Sequence, residues 1–288
     1  MPVRMKVIPP PHSRTAAVPS AHSSLSAADS GFQGGISQGL GFDSFNVLSV
    51  EDMKSWWDHS PYYDAGFYLP YSPNRHNDPS LANAKGKPVN VEKGKAWLSG
   101  VTAQGWGVWP IWFGLQAPCV QDPSHLMPSH FSTDEKTAAD DGSKQADLAH
   151  DIMTDLGLEG TVLYIDIEPY ASSAQCSKAV TAYVGGFVAE MHKLTPGGSL
   201  GVYASVWATP SDIYNASPRP DDIWVANNSG NRVTDWNLGM GWLDKPPINA
   251  KLTDILWPKH QRMHRYHLSI PPAAPFMETW GGAGPYGI

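Results

Sequence analysis

TVLYIDIEPY, residues 161–170, is an apolar run that ends in two carboxylates and a Pro-Tyr break. Strand side chains alternate between faces, so Val162, Tyr164, Asp166 and Glu168 share one side while Thr161, Leu163, Ile165 and Ile167 share the other. The second side is apolar and largely β-branched, which suits a strand of a parallel sheet whose outer surface is covered by helices. Asp166 and Glu168 then project from the opposite face, at the strand's C-terminal end. In a (β/α)8 barrel, that end carries the active site.

The flanking sequence repeats the strand-then-helix alternation that such a barrel requires. Upstream, the pattern predicts a strand over Leu40 to Phe45 carrying Asp43, a helix capped by Ser49 and running through Met53, Trp56 and Trp57, and a second strand over Ala65 to Tyr71. A helix over Val91 to Ala103 and a third strand, GVWPIWFG, follow. The irregular stretch Gln116 to Asp134 is too long for an ordinary connection and reads as a lid or site wall. Lys136 to Leu156 has apolar residues at helical spacing, with Gly157 as its stop. Beyond the fourth strand come a helix over Ser173 to Leu194, a turn at Pro196 to Gly198, and a fifth strand, LGVYAS. A short helix over Pro210 to Asn215 leads to a sixth strand, DIWVANN. Periodicity fades from Ser229 to Gln261, and Met263 to Ser269 is the best late strand. The expected fold is a single (β/α)8 TIM-like barrel over residues 37–288, irregular or incomplete in its last units. It is preceded by a disordered Pro, Ser and Ala-rich tail over 1–36, which has no apolar signal-peptide core.

Composition narrows the partner. The chain has 288 residues, 41% hydrophobic and 16% charged, with a net charge of -7. One α/β barrel of about 250 residues plus an extension fits this length. No apolar run approaches the roughly 20 residues of a membrane helix. A pI near 5.8 argues against nucleic acid or an anionic membrane surface, both of which need a basic face. Twelve Trp and eleven Tyr supply flat apolar surfaces with a polar edge, suited to sugar rings, although many such rings will simply be core. A monomer that takes a polysaccharide is the expectation, with no cofactor.

Glycosidic cleavage needs an acid to protonate the leaving oxygen and a second group to attack or stabilise the cationic sugar. Glu168, nearer the rim, is the candidate general acid. Asp166 sits deeper, where it would raise the acid's pKa by repulsion and orient substrate. Asp43, ending another strand, could stabilise positive charge on the sugar. The plainer alternative is that these acids cap a helix or pair with an arginine. Tyr203, Trp224, Gln116, Tyr68 and Tyr266 are the candidate substrate contacts; Tyr203 and Trp224 could equally be core aromatics. His260, His264 and His267 do not make a metal site, since strand alternation sends His264 and His267 to opposite faces. No P-loop, Rossmann fingerprint or serine nucleophile elbow is present. Cys119 and Cys176 both fall in loops after strands, above the same barrel face. A disulfide and two free thiols are both open on that evidence.

Together, GFDSFNVLSVEDMKSW, GWGVWPIWFGLQAPC, LGLEGTVLYIDIEPY with AQCSKAV behind it, LGVYASV, DIWVAN and HQRMHRY resemble the glycoside-hydrolase-like domain of secreted actinobacterial proteins. That domain is similar to family 25 glycoside hydrolases, the lysozyme-type muramidases. The resemblance runs from about Gly41 to the C-terminus. It implies a (β/α) barrel, secretion, and a cell-wall glycan such as peptidoglycan as substrate. The muramidase acid of the D-x-E motif maps to Glu168, its companion to Asp166 and the first-strand aspartate to Asp43. The family's motif cysteines map to Cys119 and Cys176, which implies that the two are bonded. Two departures stand out. The late Q-Y motif is replaced by Arg265 and Tyr266, and a final-strand aspartate expected just after TWGGAGPYGI would fall beyond Ile288. They keep a second function in view, a glycan-binding or cell-wall-associated module with a degenerate hydrolase site.

Overall fold

The structure is a computed structural model that describes residues 40–44, 47–60, 62–70, 72, 91–120, 129–171, 173–205, 210–226, 262–265 and 286–287. The expected tail over 1–36, the aperiodic stretch 229–261 and Tyr266 lie outside these residues.

Among the described residues, seven strands run parallel and in chain order: β1 (Leu40–Ser44), β2 (Tyr62–Tyr68), β3 (Gly107–Trp112), β4 (Leu163–Ile167), β5 (Leu200–Ser205), β6 (Asp222–Ala226) and β7 (Arg262–Arg265). A two-residue strand, β8 (Tyr286–Gly287), lies antiparallel on β1, a pairing with no counterpart in the sequence pattern. The helices are α1 (Val50–His59), α2 (Val91–Ala103), α3 (Glu135–Leu156), α4 (Ala174–Leu194) and α5 (Pro210–Tyr214). Among the described residues this makes a parallel sheet alternating with helices, a TIM-like half-barrel rather than a closed eight-unit ring. The second strand begins earlier than the expected Ala65, because Tyr62 is buried against Phe42, with ring centroids 5.8 Å apart.

The alternation read from the fourth strand is present in three dimensions. Leu163, Ile165 and Ile167 belong to the large helix-facing core, whereas Tyr164 joins Tyr68, Trp109, Ile111, Phe113, Tyr203 and Trp224 in a separate inner cluster. Helix ends follow local chemistry. Ser49 caps α1 by accepting from Asp52 N at 3.0 Å, and Ser173 caps α4 by accepting from Cys176 N at 3.1 Å. Asp134 caps α3, whose far end stops at Gly157 with φ 75°, a left-handed turn that glycine adopts without strain. The Thr137 N–H and hydroxyl bonds hold the Asp134 carboxyl below the usual range.

The helices that flank β4 approach backbone to backbone. A Cβ on Gly142 of α3 would stand 2.1 Å from Tyr183 O of α4, and one on Gly186 of α4 would stand 2.1 Å from Ala139 O. Glycine at both positions therefore sets the interhelical distance. Tyr183 in turn stacks on Phe131, centroids 4.2 Å apart and planes at 10°. This ties the end of the long connection after β3 to α4.

Candidate active site

Asp166 is the next-to-last residue of β4, faces the inner side of the sheet, and is 2% exposed. Its neighbours are aromatic. In the sheet register Asp166 lies beside Tyr203, and Tyr203 beside Trp224, whose ring meets that of Tyr203 at 4.8 Å. From the other side Tyr68 Oη donates to Asp166 Oδ2 at 3.2 Å, and the Tyr68 ring packs edge-on to Phe113. A carboxylate in such surroundings interacts more strongly with any nearby charge than it would in water.

Glu168 lies just beyond the strand and is partly exposed, so the two acids differ in burial. Asp43 of β1 is fully buried. Phe42 beside it belongs to the helix-facing core, so alternation turns Asp43 to the inner side with Asp166. In register Asp43 lies beside Gly66, and Gly66 beside Trp109. Gly66 is required there, since a Cβ would come within 2.5 Å of the Trp109 ring.

The proposed substrate contacts divide by location. Tyr203 and Trp224, 5% and 1% exposed, form the floor of the inner face. Tyr68 is buried on Asp166. Gln116 is fully buried, and its amide lies on backbone groups: Nε2 donates to Asp166 O at 2.6 Å, and Oε1 accepts from Glu168 N at 2.9 Å. The indole N–H groups of Trp109 and Trp224 are buried with no acceptor among the described residues.

Cys119 and Cys176 form a disulfide, with Cα atoms 6.4 Å apart. It joins the loop after β3 to the first turn of α4. The same two loops are stitched by Ala171 N donating to Cys119 O at 2.8 Å and by an antiparallel bridge between Val120 and Tyr170. Tyr170 itself donates to Asp212 of α5; burial, then that carboxylate, pushes its hydroxyl pKa far up.

One polar pair escaped the sequence reading. Tyr164 Oη donates to Asp222 Oδ1 at 2.6 Å, with the Tyr164 ring lying over Gly201, where a Cβ would be 2.3 Å away. Burial, and secondarily Asp222, raises the Tyr164 hydroxyl pKa well above its ordinary value. The pair closes the floor below Asp166. Its signal was an aspartate opening, rather than ending, the sixth strand. Among the described residues no group of three or more His, Cys, Asp or Glu side chains could hold a metal ion, and His260 and His267 lie outside them. No helix of the described residues is long and apolar enough to cross a membrane.

The Tyr68 bond yields a first prediction. Tyr68→Phe should destabilise the fold by about 1–2 kcal/mol in denaturant unfolding, the usual net worth of a hydrogen bond to a polar or charged partner. Combined with Asp166→Asn, the loss should be less than additive, because the two positions share one contact. Additive losses would show that this contact contributes nothing.

A family model described as "Rv2525c-like, glycoside hydrolase-like domain" matches residues 54–274. Among solved structures, the chain is similar to a glycoside hydrolase family 5 enzyme from Prevotella bryantii, at 11% identity over 84% of this chain and 91% of that one, with a TM-score of 0.47. A GH18 chitinase from Pseudoalteromonas aurantia is similar at 12% identity over 85% and 82% of the two chains, TM-score 0.48. The Clostridium perfringens spore cortex lytic enzyme SleM is similar at 12% identity over 86% and 66%, TM-score 0.47. No curated protein matches the chain.

Proposed function

From the premise that the chain belongs to the Rv2525c-like, glycoside hydrolase-like family, we propose that it is a secreted glycoside hydrolase acting on a cell-wall polysaccharide such as peptidoglycan. The observation that carries the reading is the placement of Asp166 and Glu168 at the C-terminal end of β4, one buried and one at the rim of the inner face. That division of environments suits two carboxylates with different tasks. Glu168, reachable from solvent, protonates the leaving glycosidic oxygen. Asp166, held by Tyr68, keeps a proton on Glu168 by repulsion and steadies the developing positive charge together with Asp43. Tyr203 and Trp224 form the floor on which a sugar ring would rest, and Tyr266 is a further candidate contact. The sheet around this site is read as a single (β/α)8 TIM-like barrel, irregular or incomplete in its last units. The disulfide is compatible with an oxidising, extracellular setting. The protein acts as a monomer.

A second reading, a glycan-binding module without turnover, is favoured by the burial of Asp43 and Asp166, at 0% and 2% exposure. Groups so enclosed act on a substrate only if it enters deeply. One assay separates the two readings: incubate the protein with purified insoluble cell walls, then measure both co-sedimentation and new reducing ends. Products growing with time and enzyme concentration support the hydrolase. Co-sedimentation with no products supports the binding module and removes the hydrolase.

A further inference from the structure

The geometry points to Gln116 as a positioning residue: its side-chain carboxamide adds one rung to the parallel ladder of β4 and thereby holds Asp166 and Glu168 on the same side of the backbone. The inference rests on the proposed roles of those two acids, and it concerns a residue first read as a substrate contact.

The sheet register shows why a rung is needed. β3 and β4 pair only through Ile111 with Tyr164 and Trp112 with Ile165. Continued at the same spacing, Gly114 would face Ile167, but β3 ends at Trp112 and the pairing stops at Trp112 with Ile165. In a parallel ladder a residue donates its N–H to the carbonyl preceding its partner and accepts from the N–H following it. For a partner at Ile167, those groups are Asp166 O and Glu168 N. They are the two groups that Gln116 holds, donating through Nε2 at 2.6 Å and accepting through Oε1 at 2.9 Å. A primary carboxamide carries the same donor and acceptor as a peptide unit, so it can stand in for the missing strand residue. The partners also decide the orientation of the amide, because a carbonyl needs the NH2 and an N–H needs the oxygen.

Gln116 is fixed in its turn. Its N donates to Ser129 O at 2.9 Å, and its O accepts from Phe131 N at 3.1 Å, a short parallel bridge centred on His130. On the opposite edge β5 pairs with β4 as far as Ile167 with Ala204. The backbone from Asp166 to Glu168 is therefore gripped from both edges, and Ile167 remains extended with its side chain 1% exposed in the helix-facing core. Extended geometry at Ile167 is what sends the side chains on either side of it in one direction. Glu168, beyond the last strand residue, has the Gln116 oxygen as the partner of its N–H.

Two variants test this. Gln116→Met keeps the length and volume but has no donor and only a weak thioether acceptor; Gln116→Glu keeps an acceptor and donates only while its carboxyl is protonated. The readout is hydrogen exchange at the Glu168 amide, expressed as protection relative to the intrinsic rate, beside that of α3 and α4. In Gln116→Met, protection at Glu168 should fall about tenfold, the equivalent of one lost hydrogen bond, with the helices unchanged. Gln116→Glu should match wild type at acid pH and the Met variant once the introduced carboxyl ionises, since a carboxylate has no proton for Asp166 O. In an active protein, kcat should follow the same pattern with KM nearly constant. Unchanged Glu168 protection in Gln116→Met, or a uniform loss across the fold, overturns the inference. If Gln116→Met does not fold, a Gln116→Glu variant whose Glu168 protection ignores pH overturns it as well. Wild type without turnover would remove the hydrolase reading while leaving the exchange result to decide the rung.

Discussion

Glu168→Gln should reduce the release of reducing ends from purified cell walls by about 100- to 10,000-fold, the usual contribution of a positioned general acid. The substitution is nearly isosteric, so the loss belongs to the proton. Its backbone N donates to Gln116 Oε1, a bond that a change of side chain leaves in place. Glu168 is also partly exposed and outside the strand, where substitutions usually shift stability by no more than about 0.5 kcal/mol. A collapse in turnover with an unaltered unfolding curve is therefore the expected signature. Wall binding should survive, because the floor residues Tyr203 and Trp224 are untouched. Asp166→Asn makes a useful contrast: it alters the acceptor of the Tyr68 hydroxyl, so both activity and stability should drop. Undiminished release by Glu168→Gln would remove Glu168 as the acid.

The difference between these two acids could be read from the chain, whereas the structure that holds them could not. Leu163, Ile165 and Ile167 declare a covered strand face because apolar residues alternate with others, and that pattern is local. The cap at Ser49 and the stop at Gly157 are equally local, and the element boundaries near them agree within a residue or two. Gln116 is different. Its partners are the backbone groups of a strand 50 positions away, and backbone groups carry no sequence signature, so a polar residue near the site was first assigned to substrate. Gly201 and Gly66 are illegible for a related reason: each is glycine because a ring from a neighbouring strand, Tyr164 or Trp109, lies across it. The strand Tyr286–Gly287 has only two residues, too few for any periodicity to appear. Cys119 and Cys176 needed the family resemblance before their pairing could be expected, since spacing alone left the thiols open.

That pairing carries the largest expected effect on stability. The disulfide closes a loop across a sequence separation of 57, and the chain-entropy relation assigns such a loop about 4 kcal/mol at 25 °C. Denaturant unfolding of Cys119→Ser/Cys176→Ser should therefore lose about 2–4 kcal/mol, the lower figure allowing for residual structure in the unfolded chain. The loss should not be uniform. Cys176 is 3% exposed and sits in the capped first turn of α4, which remains packed on α3 through Gly142 and Gly186. Cys119 is less enclosed and lies in the loop that also carries Gln116. Without the bridge, that loop keeps the Ala171 N to Cys119 O bond and the Gln116 contacts, but they form an ordinary equilibrium rather than a covalent constraint. Amides of the loop after β3 and the N–H of Glu168 should accordingly exchange faster, while those of α3 and of the far end of α4 stay protected. Should the double variant fail to accumulate, reduction and alkylation of the folded wild-type protein gives the same comparison. An unfolding midpoint that is indifferent to reductant, after mass spectrometry shows both thiols alkylated, would mean that the non-covalent stitches between the two loops suffice and that the disulfide adds no stability of its own.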